Sequence, residues 1–295
     1  MPKRINRAIE LLEQGQPIFY TGGHTGAELS YESGVAMAKT WADYINIGME
    51  HGTFNLAGLG EFMKGLVDGG PTNSGHRTPA VVVELPVDGA SEEVIRANAW
   101  QIRQVLARGV HGLLLCHAET PGAVKAFVET CRFAFQTLGV GKGLGEGRRG
   151  RAGEASSAPI WGISIEDYFD LADPWPLNPK GELLLGLKIE NRRALSNVGL
   201  STRVPGIAFA EWGPGDMSHS FGYKLLQTNP YPPELLEARS RVFAACKAAG
   251  LAFLDGMTVE NVAQKIGEGV RISGGGPQGE VAKAGRAYAK RMMPV

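Results

Sequence analysis

The chain has 295 residues, of which 43% are hydrophobic and 20% charged, and its 30 basic and 30 acidic residues give no formal net charge. This composition is typical of a globular protein with a sizeable core. The charge balance argues against nucleic acid or an anionic membrane as a partner, because both attract strongly basic surfaces.

Cysteine usage and the first residues indicate the compartment. Cys116, Cys131 and Cys246 are widely spaced and odd in number, which favours reduced thiols over a disulfide framework. No apolar segment reaches the ~20 residues that span a bilayer. The opening MPKRINRAIELLEQGQ is an amphipathic helical pattern with charges throughout, unlike a signal peptide. We therefore expect a cytoplasmic protein.

Short apolar runs alternate with helical patterns along most of the chain. The predicted strands occupy residues 17–23, 42–52, 79–86, 110–120, 182–191, 205–217 and 251–257. Helical patterns occupy residues 28–41, 56–69, 91–109, 121–135, 192–200 and 237–250. A strand followed by a helix, repeated seven or eight times, predicts a parallel sheet, and continuous apolar runs such as AVVV and ELLLGL are typical of its buried strands.

Eight such units in roughly 250 residues match the size of a (β/α)8 barrel, so we predict an α/β protein with the TIM-barrel fold, a single domain over residues 1–295. A doubly wound open sheet is the alternative, but YTGGHTGAE after the first strand lacks the G-x-G-x-x-G spacing. Residues 141–182 stand apart as a glycine-rich, charged insert. We expect this insert to be a mobile or substrate-facing loop.

Chemistry in such a barrel lies at the carboxyl ends of the strands. Six ionisable residues lie at or just beyond the predicted strand ends: Glu50, His51, Glu84, Lys188, Glu190 and Asp216. Lys188 and Glu190 are two residues apart, so their side chains point to the same side of a strand. His24 follows the first strand and is placed at the same mouth without a role, as is Glu211.

Two acids at the ends of neighbouring strands can share a hard divalent cation such as Mg²⁺, which prefers oxygen ligands and keeps positions open. A 2-oxo acid fits those positions with one carboxylate and one keto oxygen. Gly213 and Gly215 let backbone N–H groups approach the carboxylate of such a substrate. The alternative is that Glu190 and Asp216 are loop carboxylates in ordinary salt bridges.

The segments GMEHG, KIEN and WGPGDMS, in that order and at these separations, resemble the class II, metal-dependent pyruvate aldolases of the HpcH/HpaI family. The family motifs are aspartate-x-glutamate-histidine, glutamine-isoleucine-glutamate-threonine and glycine-proline-alanine-aspartate-leucine-serine. The similarity extends over most of the chain and includes Asp43, GVHGLLLCHAET and GRRGRAG.

The resemblance implies a (β/α)8 barrel in which Glu190 and Asp216 hold a divalent cation, Mg²⁺, Mn²⁺ or Co²⁺. It implies that the 2-oxo acid carboxylate contacts the backbone at Gly215 and Asp216. His51 is the implied base, acting through a water at the aldehyde-derived oxygen, and Glu50 is implied to order waters on the cation. It further implies a homo-hexamer with an exchanged C-terminal helix, for which residues 279–292 are the candidate segment.

Four positions depart from the family pattern. The family arginine that steadies the substrate oxyanion falls at Glu84, and its glutamine before the metal-binding glutamate falls at Lys188. Two aspartates that serve the base fall at Gly48 and Ala107. Lys188 either binds substrate or forms an internal ion pair with Glu84, and it lacks the bidentate fork of arginine.

The missing aspartates leave the proton-transfer group open, with His117 and Glu119 as alternatives to His51. Trp212, just before the Gly-Pro-Gly turn, is expected either to wall the substrate pocket or to pack in the core.

The predicted function is that of an aldehyde-lyase that cleaves or forms 4-hydroxy-2-oxo acids, giving pyruvate or a related 2-oxo acid and an aldehyde. Related enolate chemistry, such as oxaloacetate decarboxylation, is one alternative. A non-catalytic protein that binds a metal and a 2-oxo acid is another, favoured by the missing arginine and aspartates. The sequence leaves the aldehyde and the choice among the three metals open.

Overall fold

Eight parallel strands close into a barrel in a computed structural model of the chain, which describes residues 2–228 and 230–295. The barrel strands are β1 Ile18–Gly23, β2 Tyr44–Gly48, β3 Ala80–Asp88, β4 Gly112–Cys116, β6 Leu183–Lys188, β7 Phe209–Glu211, β8 Ala252–Leu254 and β9 Val270–Gly274. Closure comes from β9 pairing with β1 and from β4 pairing directly with β6. A two-residue strand, β5 Pro174–Trp175, pairs with the start of β6. The predicted (β/α)8 fold is confirmed.

Helices surround this barrel. In chain order they are α1 Arg7–Glu13, α2 Tyr31–Met37, α3 Leu56–Gly69, α4 Glu92–Ala97, α5 Ala99–Leu106, α6 Pro121–Cys131, α7 Glu154–Trp161, α8 Ile165–Leu171, α9 Arg192–Ser201, α10 Pro214–Ser220, α11 Pro233–Ala249, α12 Val262–Glu268 and α13 Glu280–Tyr288. Within the two described ranges, none of them combines the length and apolar character of a bilayer-crossing segment.

The hydrophobic core has two layers because strand side chains alternate between the two faces of the barrel wall. Val81 and Val83 of β3 belong to the large cluster between strands and helices. Val82 belongs to the second cluster, inside the barrel, together with Leu184 and Phe209. Because every second residue faces inward, these rows fix which residues reach the mouth two or four positions later.

A buried aspartate anchors the amino-terminal face of the barrel. Asp43 is completely buried, and its carboxylate accepts a hydrogen bond from the Phe19 backbone at 2.8 Å. Arginines from three other segments converge on it, with nitrogen–oxygen distances of 3.1 Å for Arg7, 3.0 Å for Arg286 and 2.6 Å for Arg291. The acid that the resemblance singled out therefore fastens α1 and the C-terminal segment to β2.

The C-terminal helix α13 packs against the barrel of its own chain. Gly285 approaches the ring of Phe19 so closely that an added Cβ would lie 2.2 Å from it. Arg286 donates to the backbone of Trp41 as well as to Asp43. Exchange of this helix between subunits stays a prediction.

The insert at 141–182 differs from the loop that its glycines and charges predicted. It contains α7, α8 and β5, and it packs at the amino-terminal side of the barrel. Trp161 donates from its indole to the Gly109 backbone at 2.9 Å and stacks on His111. Arg149 is buried and lies over the Phe133 ring. Aromatic and arginine side chains thus supply the packing, and the insert covers the face opposite the strand carboxyl ends.

His111 gives the fold a specific pH dependence. Burial lowers its pKa to about 3, and its ring nitrogen Nδ1 accepts from the Val81 backbone, so it is neutral when folded. The unfolded chain binds a proton below about pH 6.5. Stability should therefore fall by about 1.4 kcal/mol per pH unit as the pH drops from about 6 towards 4.

The measurement is the free energy of urea unfolding at several pH values for the wild type and His111→Asn, which keeps an acceptor for Val81. The variant loses stability at all pH values because the stacking on Trp161 is lost, but its slope below pH 6 should be shallower by this amount. Equal slopes would contradict the assignment.

Candidate functional site

The carboxyl ends of the strands bring ionisable residues into the barrel mouth. The inward rows that begin with Val82, Leu184 and Phe209 end at Glu84, Lys188 and Glu211, because every second residue faces inward. All three of these ionisable residues are buried. A buried charge needs partners, so the arrangement of these groups decides the chemistry of the mouth.

Lys188 lies at the centre of this cluster. Its Nζ is 2.5 Å from Glu50 Oε2, 3.3 Å from Glu190 Oε2 and 3.8 Å from Glu84 Oε2. Burial by itself lowers the pKa of Lys188, but the surrounding acidic groups outweigh it and raise the pKa above its ordinary value. The predicted pairing with Glu84 is therefore the longest of three ion pairs, and the ammonium is charged.

The acids around Lys188 differ in protonation state. Burial opposes ionisation of Glu50, yet His117 and Lys188 together lower its pKa to about 2. Burial raises the pKa of Glu211 to about 8, and the nearby Glu84 charge adds to that effect. At neutral pH Glu50 is a carboxylate, whereas Glu211 is largely a neutral acid.

Four residues form a candidate site for a divalent cation. Glu50, His117, Glu190 and Asp216 each offer one ligand atom, and these atoms lie within 4.8 Å of one another. They follow β2, β4 and β6 or lie in the first turn of α10. The two predicted ligands are thus together, and the structure adds Glu50 and His117 to them.

The donor atoms fit a cation rather than a closed network of hydrogen bonds. His117 donates from its backbone to Glu190 Oε1 at 2.8 Å, which orients that carboxylate. Glu190 Oε2 and Glu50 Oε1 are buried and have no hydrogen-bond partner among the described residues. Lys188 and His117 lie 3.3 Å from these two oxygens without hydrogen-bonding to them. With the imidazole and the carboxylate of Asp216, the two oxygens form an oxygen-rich set that suits Mg²⁺ or Mn²⁺.

Gly213 makes this convergence possible. It has a left-handed backbone with φ of 48°, and a Cβ added there would lie 2.5 Å from Glu190 Cβ and 2.8 Å from Glu190 Oε2. The glycine therefore lets the turn after β7 pass directly beside Glu190 and carry Asp216 to the site.

A histidine–glutamate pair lies on the other side of the mouth. His24 Nδ1 is 2.6 Å from Glu84 Oε1, and Asn46 donates to the same oxygen at 2.6 Å. The hydrogen bond to Glu84 raises the pKa of His24 to about 9, although burial opposes this shift. The charge at position 84, which reverses that of the family arginine, is thus paired with a cation from the loop that follows β1.

The remaining predicted residues lie at different distances from this cluster. His51 follows Glu50 on the rim, with its side chain 47% exposed and Nε2 3.5 Å from Glu50 Oε2. Gly215 lies in the first turn of α10 beside Asp216. Trp212 is in the core, where its indole donates to Asp255 at 2.9 Å and packs edge-on against Tyr231. Trp212 thus packs in the core, and a contact between Trp212 and substrate stays a prediction.

The alternative bases are also placed. Glu119 is held by two hydrogen bonds from Arg193 at 2.7 Å, which lower its pKa. His117 Nε2 lies 3.3 Å from Glu50 Oε1, and this contact raises the pKa of His117 to about 9. Ala107 ends α5, and its carbonyl accepts from Ser156 of the insert, so this position belongs to the amino-terminal face.

Sequence reasoning missed His117 as a candidate ligand and gave His24 no partner. The signal for His117 was its place directly after a buried strand, GLLLC, as for the other strand-end residues. His117 has a positive backbone φ of 45°, and its N–H donates to Glu190. The signal for His24 was the same, since it follows β1 directly.

The barrel and its strand-end acids define a (β/α)8 protein with a candidate divalent-cation site. The chain belongs to the HpcH/HpaI aldolase/citrate lyase family, whose sequence model matches residues 78–283. The resemblance drawn from the three motifs is thereby confirmed.

Two curated relatives are named as aldolases. A 2-keto-3-deoxy-L-rhamnonate aldolase of Klebsiella pneumoniae is 32% identical over 171 residues, which are 56% of this chain and 57% of the relative. The match therefore spans little more than half the length of that aldolase. A 4-hydroxy-2-oxo-heptane-1,7-dioate aldolase of Salmonella paratyphi A is 28% identical over 202 residues, or 67% of this chain and 68% of the relative.

The fold similarity extends over the whole barrel. A solved HpcH/HpaI aldolase/citrate lyase family protein of Burkholderia cenocepacia J2315 superposes with a TM-score of 0.69 at 21% identity. The superposition covers 96% of this chain and 97% of the other.

Replacing Gly213 by alanine should damage the candidate metal site. The left-handed backbone costs a non-glycine residue about 1–3 kcal/mol, and the added Cβ would collide with Glu190. We expect Gly213→Ala to lower the unfolding temperature and to weaken Mn²⁺ binding about 10–100-fold. Calorimetric titration with Mn²⁺ measures the second effect.

Gly215→Ala is the matched control, because a Cβ there meets nothing within 4 Å in the described structure. It should leave the unfolding temperature and Mn²⁺ affinity close to those of the wild type. Equal behaviour of the two variants would contradict the proposed close approach.

Proposed function

We propose that this protein is a metal-dependent aldehyde-lyase that cleaves, or forms, a 4-hydroxy-2-oxo acid, with pyruvate or a related 2-oxo acid and an aldehyde as the partners of the reaction. The observation that carries the proposal is the convergence of Glu50, His117, Glu190 and Asp216 within 4.8 Å. Family membership and two relatives named as aldolases support the choice of reaction class.

Glu190 and Asp216 are the proposed protein ligands of the cation, with Glu50 and His117 adjacent to them. A bound Mg²⁺, Mn²⁺ or Co²⁺ would supply Lewis acidity that polarises the keto group of the 2-oxo acid. Two protein carboxylates leave coordination positions free for a chelating substrate.

The chain itself positions the substrate. The backbone N–H groups of Gly215 and Asp216 lie in the first turn of α10, where helices lack internal acceptors, and they are the proposed contacts of the substrate carboxylate. Lys188 adds a buried positive charge next to Glu190 that attracts the same anion. His51 is the base that the resemblance implies, and it is exposed at the rim near the open side of the mouth.

The resemblance also supports a cytoplasmic homo-oligomer, a hexamer, as part of this proposal. The buried thiols Cys116, Cys131 and Cys246 suit a reducing compartment. Size-exclusion chromatography with light scattering tests the assembly directly.

Oxaloacetate decarboxylation is the second candidate function. In the described structure the one carboxylate near His51 is Glu50, at 3.5 Å, so His51 is poorly supported as a base. This favours decarboxylation, because that reaction needs no proton transfer from a substrate hydroxyl. The assay is Mn²⁺-loaded protein with oxaloacetate in one series and with pyruvate plus a panel of aldehydes in another. New hydroxy-oxo acid supports the aldolase, and loss of carbon dioxide alone supports the decarboxylase.

Neutralising one proposed ligand should abolish cation binding. In Glu190→Gln or Asp216→Asn, one of the two carboxylates is lost, so Mn²⁺ affinity should fall at least about 100-fold and turnover should disappear. The wild-type unfolding temperature should rise with Mn²⁺, whereas the variants should show no such rise.

Glu61→Gln is the control, because Glu61 is an exposed glutamate on α3 that pairs only with Lys64 among the described residues. It should behave as the wild type. Full activity in either ligand variant would refute the proposed metal site.

Lys188→Gln should tighten cation binding. Two unit charges 4 Å apart repel with about 4 kcal/mol at an effective dielectric of 20, so removing the ammonium should lower the Mn²⁺ dissociation constant by at least about tenfold. Without metal the variant should be less stable, because Glu50, Glu84 and Glu190 lose their shared cation.

Calorimetry measures the Mn²⁺ affinity, and urea unfolding in EDTA measures the stability of the metal-free protein. Lys64→Gln, at an exposed lysine on α3, is the control for loss of a positive charge. An unchanged KM for the 2-oxo acid in Lys188→Gln would show that Lys188 is not a substrate contact.

A further inference from the structure

His51 lacks the support that a proton-transfer group needs. Its nearest acidic partner is Glu50 at 3.5 Å, and Glu50 is engaged more closely by Lys188 at 2.5 Å. The aspartates that the family pattern places near the base are Gly48 and Ala107 here. A general base is oriented by a hydrogen bond to a third group, and within residues 2–228 and 230–295 His51 has only the long contact with Glu50.

His24 has this support. Its Nδ1 lies 2.6 Å from Glu84 Oε1, and Glu84 is completely buried. Asn46 fixes the same carboxylate oxygen from β2 at 2.6 Å. With Nδ1 held by Glu84 and 46% of the side chain exposed, Nε2 is the ring nitrogen left to meet a substrate. This is the geometry of a carboxylate–histidine dyad.

The pair belongs to the same mouth as the candidate metal site. Glu84 Oε2 is 3.8 Å from Lys188 Nζ, and the same Nζ is 3.3 Å from Glu190 Oε2. One lysine side chain therefore contacts both the dyad carboxylate and a proposed metal ligand. His24 and the proposed metal ligands therefore belong to one connected cluster at the barrel mouth.

Two departures from the family pattern are linked by this arrangement. Glu84 replaces the arginine and holds His24. Gly48 replaces an aspartate, and a Cβ at position 48 would lie 2.1 Å from the carbonyl oxygen of His24. Only glycine at 48 lets the backbone at residues 23–24 cross the end of β2 and bring the imidazole to Glu84. The missing side chain at position 48 therefore leaves the space that the backbone of His24 occupies.

We propose that His24, positioned by Glu84, transfers the proton at the aldehyde-derived oxygen of the substrate, in place of His51. The assignment rests on the proposed lyase function. In cleavage, the hydroxyl proton on C4 moves to Nε2, the C4–O bond becomes a carbonyl, and the C3–C4 bond breaks. The electron pair of this bond stays on C3 of the 2-oxo acid fragment, and a proton then adds to C3. In bond formation, Nε2–H returns the proton to the oxygen.

The first test compares two reactions that share the metal site. Cleavage of 4-hydroxy-2-oxo-heptane-1,7-dioate needs the hydroxyl proton transfer, whereas decarboxylation of oxaloacetate does not. In His24→Gln, which removes an exposed imidazole and should fold, the ratio of cleavage to decarboxylation should fall at least about 100-fold, the lower range for loss of a general acid–base group. His51→Gln should lower the ratio far less.

His219→Gln is the matched control, because His219 is an exposed histidine on α10. It should keep both rates. A His24→Gln variant with the wild-type ratio, or a larger fall in His51→Gln, would overturn the assignment while leaving the lyase function intact. Wild-type protein that performs neither reaction would overturn the lyase function and this inference together.

The second test distinguishes a positioning role of Glu84 from a structural one. The charged and titratable groups that face His24 are Glu84 on β3, Lys188 on β6, Glu211 on β7 and Tyr20 on β1. Cleavage needs the neutral imidazole, so the wild-type rate should rise with pH towards about 9, where His24 loses its proton. Glu84→Gln removes the group that holds the proton, and its rising limb should shift to lower pH.

Oxaloacetate decarboxylation by Glu84→Gln, followed over the same pH range, reports whether the fold and the metal site persist. A lower cleavage rate with an unmoved rising limb would contradict the positioning role of Glu84.

Discussion

The mouth of this barrel depends on one buried ammonium group. Lys188 lies within 4 Å of three carboxylates that the ends of β2, β3 and β6 bring together. Without a cation, these acids would repel one another in a region that water screens poorly, and some of them would take up protons. Glu211 forms no ion pair within 4 Å among the described residues, and it illustrates this outcome because burial raises its pKa to about 8 although Lys188 opposes the shift.

The charge of Lys188 also affects how the candidate site binds a divalent cation. Two buried carboxylate oxygens of the residues that fit a metal have no hydrogen-bond partner in the described part of the chain, yet Lys188 Nζ is only 3.3 Å from one of them. Lysine is a compact, flexible point charge, so it can neutralise the acids of the metal-free protein and still leave space for a second cation. A glutamine at this position, as in the family pattern, would leave the neutralisation of these acids to His24, His117 and the metal. The substitution thus links the stability of the metal-free barrel to the chemistry of its mouth.

The proton-handling side of the mouth is organised around the neighbouring strand ends. Glu84, Gly48 and His24 form one steric and electrostatic unit, in which glycine supplies space, glutamate supplies charge and histidine supplies the transferable proton. Taken singly, Glu84 and Gly48 are unexplained departures from the family pattern, and His24 is a histidine without an assigned role. Taken together, the three residues place the imidazolium of His24 near the position of the family arginine. Unlike arginine, an imidazolium can also give up its proton.

The sequence by itself determined the barrel and predicted that Glu190 and Asp216 lie together at strand ends, which they do. Alternating apolar runs and helical patterns are local signals, and the order of GMEHG, KIEN and WGPGDMS places acids at strand ends. It did not determine β9, whose run VRISG is short and carries Arg271, nor the packing of the insert, where buried aromatics outweigh a glycine-rich composition.

Only the tertiary structure decided which strand-end residues meet. His24 and Glu84 are 60 positions apart, and Glu50 and Lys188 are 138 apart. Their contacts depend on barrel closure, strand register and the space left by Gly48 and Gly213. Such contacts leave no periodicity in the chain, because they are set by where separate strands end rather than by neighbouring residues.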